Sequence, residues 1–331
     1  MTIVPISTRG PVDMHVHLVG NGRQGSGCWL RPGWMHRLLA KFMLKQLGLP
    51  VSWDAVNFDE SYVALLIRWL RKSAITHAVL LAHEEVYDVS GNKLKFGSLY
   101  VPNDYLFAVC REHPEFLPAV SIHPAREDAL DELNRCLALG AVMMKCLPNC
   151  HNIDTRLPKY RPFWERMAAA GLPLLAHTGG EHTVPVYDKK LADPAVLSGA
   201  LECGVTVIAA HCATKSGVTD RDYLPALVQM MEKWPRLYGD LSALNLPLRS
   251  AGLKFMLGRP DLHDRLLHGS DFPVPVSATW AKMRKLITSA EAKRCTAFNN
   301  LITRDHQLKE AMGFPDKVFT QVWDLLPVRG D

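Results

Sequence analysis

The stretch LPAVSIHPAREDALDELNRCLALGAVMMKCL, residues 117–147, reads as one strand–helix–strand unit. Its first run, 117–122, is apolar without polar alternation, the pattern of a parallel strand buried on both faces. A helical period follows that puts Leu130, Leu133 and Leu137 on one face. Glu127 and Asp128 supply the acidic first turn that complements the helix dipole. Gly140 provides a left-handed residue past the helix end, and a second apolar run, 141–147, starts at once. Two such strands joined by a helix within roughly 30 residues make a βαβ unit.

Outward from this unit the rhythm repeats. Further apolar runs at 12–18, 78–82, 172–176, 205–210, 237–241 and 266–269 bring the total to eight. Helices are predicted between them, one over 160–170 closing at Gly171 and one opening on the Asp193-Pro194 cap pair and stopping before Gly204. The reading is an α/β fold, a (β/α)8 or TIM barrel. Nearly sixty residues separate the first run from the second, well beyond an ordinary connection. That long first β-α loop opens with GNGRQGSG, 20–27, read as a mobile flap over the barrel rim. It continues with helices over 34–47 and 59–72, the latter being the first barrel helix. After Asp271, helices are expected over 278–290, 295–312 and 316–326, the first completing the barrel and the others forming a C-terminal helical extension. The expected organisation is a single domain, 1–331, with the barrel over 12–290 and the packed helices over 291–331. No linker or internal repeat divides it.

Composition narrows the function classes. Lys and Arg number 38 against 33 Asp and Glu, but they are scattered, so a nucleic-acid stripe is not expected. The excess instead suits an anionic small molecule. No run approaches the ~18 apolar residues of a membrane span, and residues 1–11 carry no exported leader's apolar stretch. Eight cysteines without a CxxC pair fit reduced thiols better than a disulfide framework. The expected chain is cytoplasmic, with no nucleic-acid or membrane partner.

The 14 histidines carry the functional signal. The first strand ends in Asp13-Met14-His15-Val16-His17, whose two imidazoles, two residues apart, leave the same face. Later strands end at His83, His123, Lys145, His177 and His211, and the eighth run is followed by Asp271. Barrel active sites are built at this rim. His15, His17, His177, His211 and Asp271 together therefore point to a metal site, with an imidazole and carboxylate set that suits Zn²⁺ or another divalent first-row ion.

On the motifs VDMHVH (12–17), LAHTG (175–179), AAHC (209–212) and HGSDFP (268–273), the sequence resembles the amidohydrolase superfamily, and within it amidohydrolase family 2. The resemblance implies that His15, His17, His177 and Asp271 bind the more buried metal, and that His211 is a second-metal ligand or a catalytic histidine. In the two-metal members a strand-four lysine is carbamylated and bridges the ions, and Lys145 occupies that position. Burial would favour the neutral amine that CO₂ attacks. One or two Zn²⁺ ions are expected, two being favoured. The other reading of Lys145 is an ammonium paired with a carboxylate of substrate or protein.

The implied activity is a metal-dependent hydrolase that uses a metal-activated hydroxide to cleave an amide, lactone or ester bond, with Asp271 as the proton shuttle. The alternative is a one-metal decarboxylase or hydratase of the same family with His211 catalytic. Substrate contacts are expected from loop residues after the strands: His83 and Glu84, His123, Asn149 and His151, Thr178, Glu181 and His182, Lys215, Ser242 and Asn245, and Arg249. Lys215 and Arg249 would hold a carboxylate. Cys146 and Cys212, each next to an expected ligand, are read as packing residues. By analogy with the family the chain is expected to form homo-oligomers.

Overall fold

The computed structural model describes Val4, Pro5 and residues 8–328. In chain order the strands are β1 (Val12–His17), β2 (Trp29–Leu30), β3 (His77–Leu81), β4 (Leu99–Tyr100), β5 (Phe116–Val120), β6 (Met143–Cys146), β7 (Leu174–His177), β8 (Val207–Ala210), β9 (Leu237–Asp240) and β10 (Leu266–Leu267). Eight of them pair in parallel in the order β1-β3-β5-β6-β7-β8-β9-β10. The last connects back to the first: Met14 N–H donates to His268 O (3.1 Å), Asp271 N–H to His15 O (2.9 Å) and His17 N–H to Phe272 O (2.8 Å). The result is the expected TIM barrel. The eight apolar runs coincide with its eight strands.

Strand alternation divides the core in two. One set of side chains, including Val79, Leu81, Leu117, Ala119, Met143, Leu175, Ile208 and Leu267, fills the barrel; the other packs outward against the helices. Following the inner row to the carboxyl end of β6 and β7, and two residues past the end of β3, brings Lys145, His177 and His83 to the mouth. β1 reaches the same result by an irregularity. Asp13 pairs with Ala78 and Val16 with Leu80, so Met14 and His15 together oppose Val79. This one-residue bulge changes the parity of the strand. Val12 and Met14 fill the barrel below it, while His15 and His17 face the mouth above it.

The first loop differs from expectation. Residues 20–27 are pinned rather than left as a flap: Asp59, at the start of the helix Phe58–Arg71, accepts from Asn21 N–H (2.6 Å), Gly22 N–H (3.2 Å) and Ser26 Oγ (2.6 Å). Gly22 has φ +76° and lies where a Cβ would overlap the Cys28 carbonyl, so only glycine fits. The part of the loop that covers the barrel mouth is the helix Trp34–Leu47, and β2 pairs with β4 to tie this loop to the one after β3. Removing the Asp59 carboxylate (Asp59→Ala) strands three donors at a residue only 2% exposed, and is expected to cost about 1–3 kcal/mol in urea unfolding.

The helical tail is more broken than its hydrophobic pattern suggests. The helix expected over 278–290 is two, Ala278–Met283 and Ser289–Thr296, separated by Lys285 at φ 59° and restarted by a capping box between Thr288 and Glu291. The expected boundary at 290 therefore falls inside a helix. The next helix begins at Leu301 because Asn300 Oδ1 caps the Ile302 and Thr303 N–H groups, and 316–326 is a helical turn, Lys317–Thr320, followed by a 3₁₀ turn. Within the opening unit the helix is Ala129–Ala138; it buries Ala129, Leu133 and Cys136 and leaves Leu130 41% exposed, so the expected leucine face is rotated. Among the described residues no helix is long and apolar enough to cross a membrane.

Candidate metal centre

His15 sits at the centre of the mouth. Its Nδ1 lies 2.6 Å from Asp240 Oδ2 at the end of β9, and both side chains are fully buried. The acceptor fixes the tautomer: Nδ1 carries the proton and Nε2 presents its lone pair to the site. Around that lone pair stand His17 Nε2 at 3.3 Å, Asp271 Oδ1 at 3.2 Å and Lys145 Nζ at 3.1 Å. His17 Nε2 is itself 3.2 Å from Asp271 Oδ1. The backbone comes close enough for this because Gly269 has no side chain; a Cβ there would stand 2.6 Å from the His15 Cβ.

His211 and Asp271 reach the mouth through unusual backbone. β8 ends with Ala210 inside the barrel, so simple alternation would turn His211 outward. Instead His211, Cys212 and Ala213 have φ of 58°, 48° and 54°, and this left-handed turn brings the imidazole inward. Ser242 holds the ring, its carbonyl 3.1 Å and its hydroxyl 2.8 Å from His211 Nδ1, which leaves Nε2 toward Asp271 Oδ2 at 4.0 Å. Asp271 also has positive φ, 62°. Among the described residues the donor atoms of His15, His211 and Asp271 all lie within 4.8 Å of one another. His177 stands alongside, its ring centroid 5.0 Å from that of His211, so it neighbours His211 more directly than the His15–His17 pair.

These donors fit a divalent cation. Tetrahedral ligands at about 2.0–2.1 Å from an ion stand about 3.3–3.4 Å apart, close to the edges of the His15–His17–Asp271 triangle. His177 provides a second sign: its Nδ1 is 3.5 Å from Glu181 Oε2, and its buried Nε2 has no hydrogen-bond partner among the described residues. Burial drives the imidazoles of His15 and His211 well below the ordinary histidine range and His177 to about 4, so all three are neutral bases. Burial also raises the Asp271 carboxyl, but His15, His17 and Lys145 more than offset it and keep the group ionised. Lys145 is lowered by burial, with Asp271 and Asp240 opposing.

Asp240 is the residue that the sequence reading missed, although Leu-Tyr-Gly-Asp places a carboxylate at the end of the seventh barrel strand. Ser242 Oγ donates to the same oxygen at 2.6 Å. Because the pair orients the His15 lone pair, Asp240→Asn is expected to weaken Zn²⁺ binding about 10–100-fold in a chelator competition, with the fold retained.

The expected substrate contacts separate into groups. His83 and Glu181 line the cavity above the cluster. His151 backs His83, with Nε2 atoms 3.2 Å apart, and His123 Nε2 donates to His151 O at 2.7 Å. Burial pushes His83 to about 3 and His123 to about 4. Asn149 is buried and its carbonyl accepts from Tyr187 and Asp188 N–H. Glu84 pairs with Arg126 at 2.8 Å, Thr178 donates to Ala210 O, and Asn245 donates to Asp305; these three act within the scaffold. Three placements depart from expectation. His182 is at the surface, paired with Asp220 at 2.9 Å. Arg249 is buried but donates to Thr214 O (3.0 Å) and Gly180 O (2.6 Å), bracing two loops, and it is not among the residues of the cavity wall. Lys215 is not among the residues of the cavity wall.

The cavity above the cluster has a volume of about 180 Å³. Its floor is His17, Lys145, His177, His211 and Asp271. The walls are largely apolar, with Leu39, Met43, Leu44 and Leu47 contributed by the covering helix. Among the described residues, Lys145 is the one lysine or arginine that lines it.

A parallel barrel with titratable groups gathered at the carboxyl ends of its strands is the architecture of a (β/α)8 enzyme. Residues 12–300 match the family model described as Amidohydrolase, and the chain belongs to that metal-dependent family. Solved structures show the same fold at low identity. An uncharacterized TIM-barrel protein from Bordetella bronchiseptica has 17% identity over 90% of this chain and 99% of its own, with a TM-score of 0.56. A protein assigned as a 2-pyrone-4,6-dicarboxylic acid hydrolase from Pseudomonas putida has 13% identity over 96% and 97%, TM-score 0.54. IDCase from Metarhizium anisopliae, in its apo form, has 13% identity over 96% and 98%, TM-score 0.53. No match was found among curated proteins.

Proposed function

We propose that this chain hydrolyses an amide, lactone or ester bond in a small molecule with a mostly apolar body, Asp271 carrying the proton from water to the leaving group. The observation that carries this reading is the divided Asp271 carboxylate: Oδ1 is 3.2 Å from both His15 and His17 Nε2, while Oδ2 faces His211 across 4.0 Å. His15, His17 and Asp271 would hold one divalent ion, and His177 and His211 a second. Zn²⁺ there would supply Lewis acidity and an acidified water.

The protein's own groups do the rest. Asp271 is ionised and can take a proton on Oδ2. His211, locked by Ser242, keeps its Nε2 lone pair beside that oxygen. Lys145, buried with its amine shifted toward the neutral form, is suited to carbamylation, and its carbamate would add a bridging anion. The apolar walls would seat the substrate body.

A second reading, non-oxidative decarboxylation, is favoured by the same cavity: an apolar slot with a single lining cation, Lys145, suits an unsaturated or aromatic carboxylic acid. Metal-loaded protein should be screened with lactones, aryl esters and anilides in ¹⁸O-water and, separately, with aromatic and unsaturated acids for CO₂ release. Label in the product acid, lost on chelation and restored by Zn²⁺ with bicarbonate, supports hydrolysis. CO₂ release without hydrolysis replaces that reading with the lyase.

A further inference from the structure

The helix that covers the barrel mouth is apolar on two sides. Its inner side supplies Leu39, Met43, Leu44 and Leu47 to the cavity wall. On its outer side Trp34, Leu38 and Phe42, at successive four-residue steps along one face, are 74%, 63% and 51% exposed. Arg37, Lys41 and Lys45, spaced in the same way, form a second exposed row beside them. An apolar row left in water beside a charged one marks an interaction surface.

Charge says what that surface meets. Between β1 and the helix Phe58–Arg71, residues 18–57 carry five exposed bases, Arg23, Arg31, Arg37, Lys41 and Lys45, against one acid, Asp54. Five less one is +4, and the whole chain is +5, so the remainder of the chain carries only +1. Lys and Arg are scattered along the sequence, but their excess over Asp and Glu is gathered in this one insertion. Among the described residues, the ion pairs of Lys and Arg involve none of the five. A second copy of the chain suits this face poorly, because about a twofold axis the cation row meets its own image. An anionic surface neutralises it.

We propose that the outer face of the helix Trp34–Leu47 docks on an anionic lipid bilayer. Trp34, Leu38 and Phe42 enter the headgroup boundary, and the bases around them meet lipid phosphates and carboxylates. Such a helix lies in the plane of the surface and needs no membrane-spanning run, so the hydropathy that excludes a span does not exclude this contact. The expectation of no membrane partner is replaced at this face. Docking holds the cover of the apolar cavity against lipid, and it does not depend on which reaction the metal centre performs.

Cosedimentation of the full metal-loaded chain with vesicles tests this without turnover. Vesicles of phosphatidylcholine and phosphatidylserine at about 3:2 should bind it at least about tenfold more tightly than phosphatidylcholine alone, and salt should weaken the binding. Lys41→Gln with Lys45→Gln, and separately Leu38→Ser with Phe42→Ser, should each cost about tenfold or more in affinity with the circular dichroism spectrum unchanged. None of these four side chains lines the cavity. Lipid brominated on its acyl chains should quench part of the tryptophan emission, and Trp34→Phe should remove that part. Equal binding to the two vesicles or none, or variants that bind as the wild type does, overturn the proposal. A wild-type dimer that Leu38→Ser with Phe42→Ser dissociates overturns it in favour of a second copy.

Discussion

Asp271→Asn is expected to lower kcat/KM about 10³–10⁴-fold while leaving the circular dichroism spectrum unchanged. The substitution preserves size and one acceptor oxygen but removes the negative charge and the capacity to carry a proton at neutral pH. Both matter in this geometry. Oδ1 is 3.2 Å from His15 and His17 Nε2, and the neighbouring histidines and Lys145 are what keep the carboxyl ionised despite burial. Without the charge, the triangle of donors loses its only anion. Without the titratable oxygen, the group that faces His211 across 4.0 Å can no longer return a proton to a leaving group. Metal content measured in the same preparation separates the two losses: a variant that still binds Zn²⁺ but is inactive has lost the proton carrier, and one that no longer binds it has lost the ligand. Retention of a tenth or more of wild-type activity would end the assignment of Asp271 as proton carrier.

The parts of this site that were legible in sequence are those set by strand periodicity. His83, Lys145 and His177 follow the inner-facing row of their strands by simple alternation, and the eight apolar runs locate those strands. Where backbone departs from alternation, spacing alone is insufficient. His15 faces the mouth with His17 because a bulge resets β1, and His211 faces it because three consecutive residues take left-handed φ. The histidines were identifiable, but the reason for their convergence was not. Loop residues were hardest: Arg249 and His182 carry charges that suit a substrate, yet their direction depends on local bonds to Gly180, Thr214 and Asp220 that no periodicity encodes. The helical tail departs from its apolar pattern for a similar reason, because Thr288 and Asn300 caps interrupt it. Lys309 and Asp305, four apart on a helix, have the spacing of an exposed ion pair, but they are 1% and 0% exposed.

That buried pair leads to the largest expected effect on stability. Lys309 Nζ donates to Gly269 O at 2.7 Å and to Asp305 Oδ2, and Asn245 donates to the other Asp305 oxygen at 2.7 Å. The lysine thus joins the C-terminal helix Leu301–Met312 to the segment Gly269-Ser270-Asp271. Asp13 holds the same segment from β1, accepting Ser270 N–H at 2.8 Å and His15 N–H at 3.3 Å. Lys309→Met leaves the Asp305 carboxylate buried without its cation and the Gly269 carbonyl without its donor. Removing one partner of a buried ion pair costs about 3–5 kcal/mol, and a loss of this size is expected in urea unfolding. Replacing both charges, with Asp305→Asn added to Lys309→Met, keeps an amide for Asn245 and removes the uncompensated anion, so most of that stability should return. The Gly269 carbonyl remains unbonded in the double variant. If Lys309 positions Asp271 as well as stabilising the fold, Zn²⁺ affinity measured by chelator competition should stay about tenfold or more below wild type after stability has recovered. Recovery of both together would reduce Lys309 to a packing role, because its contacts with Gly269 O (2.7 Å) and His268 Nδ1 (3.4 Å) are what connect it to the metal-binding segment.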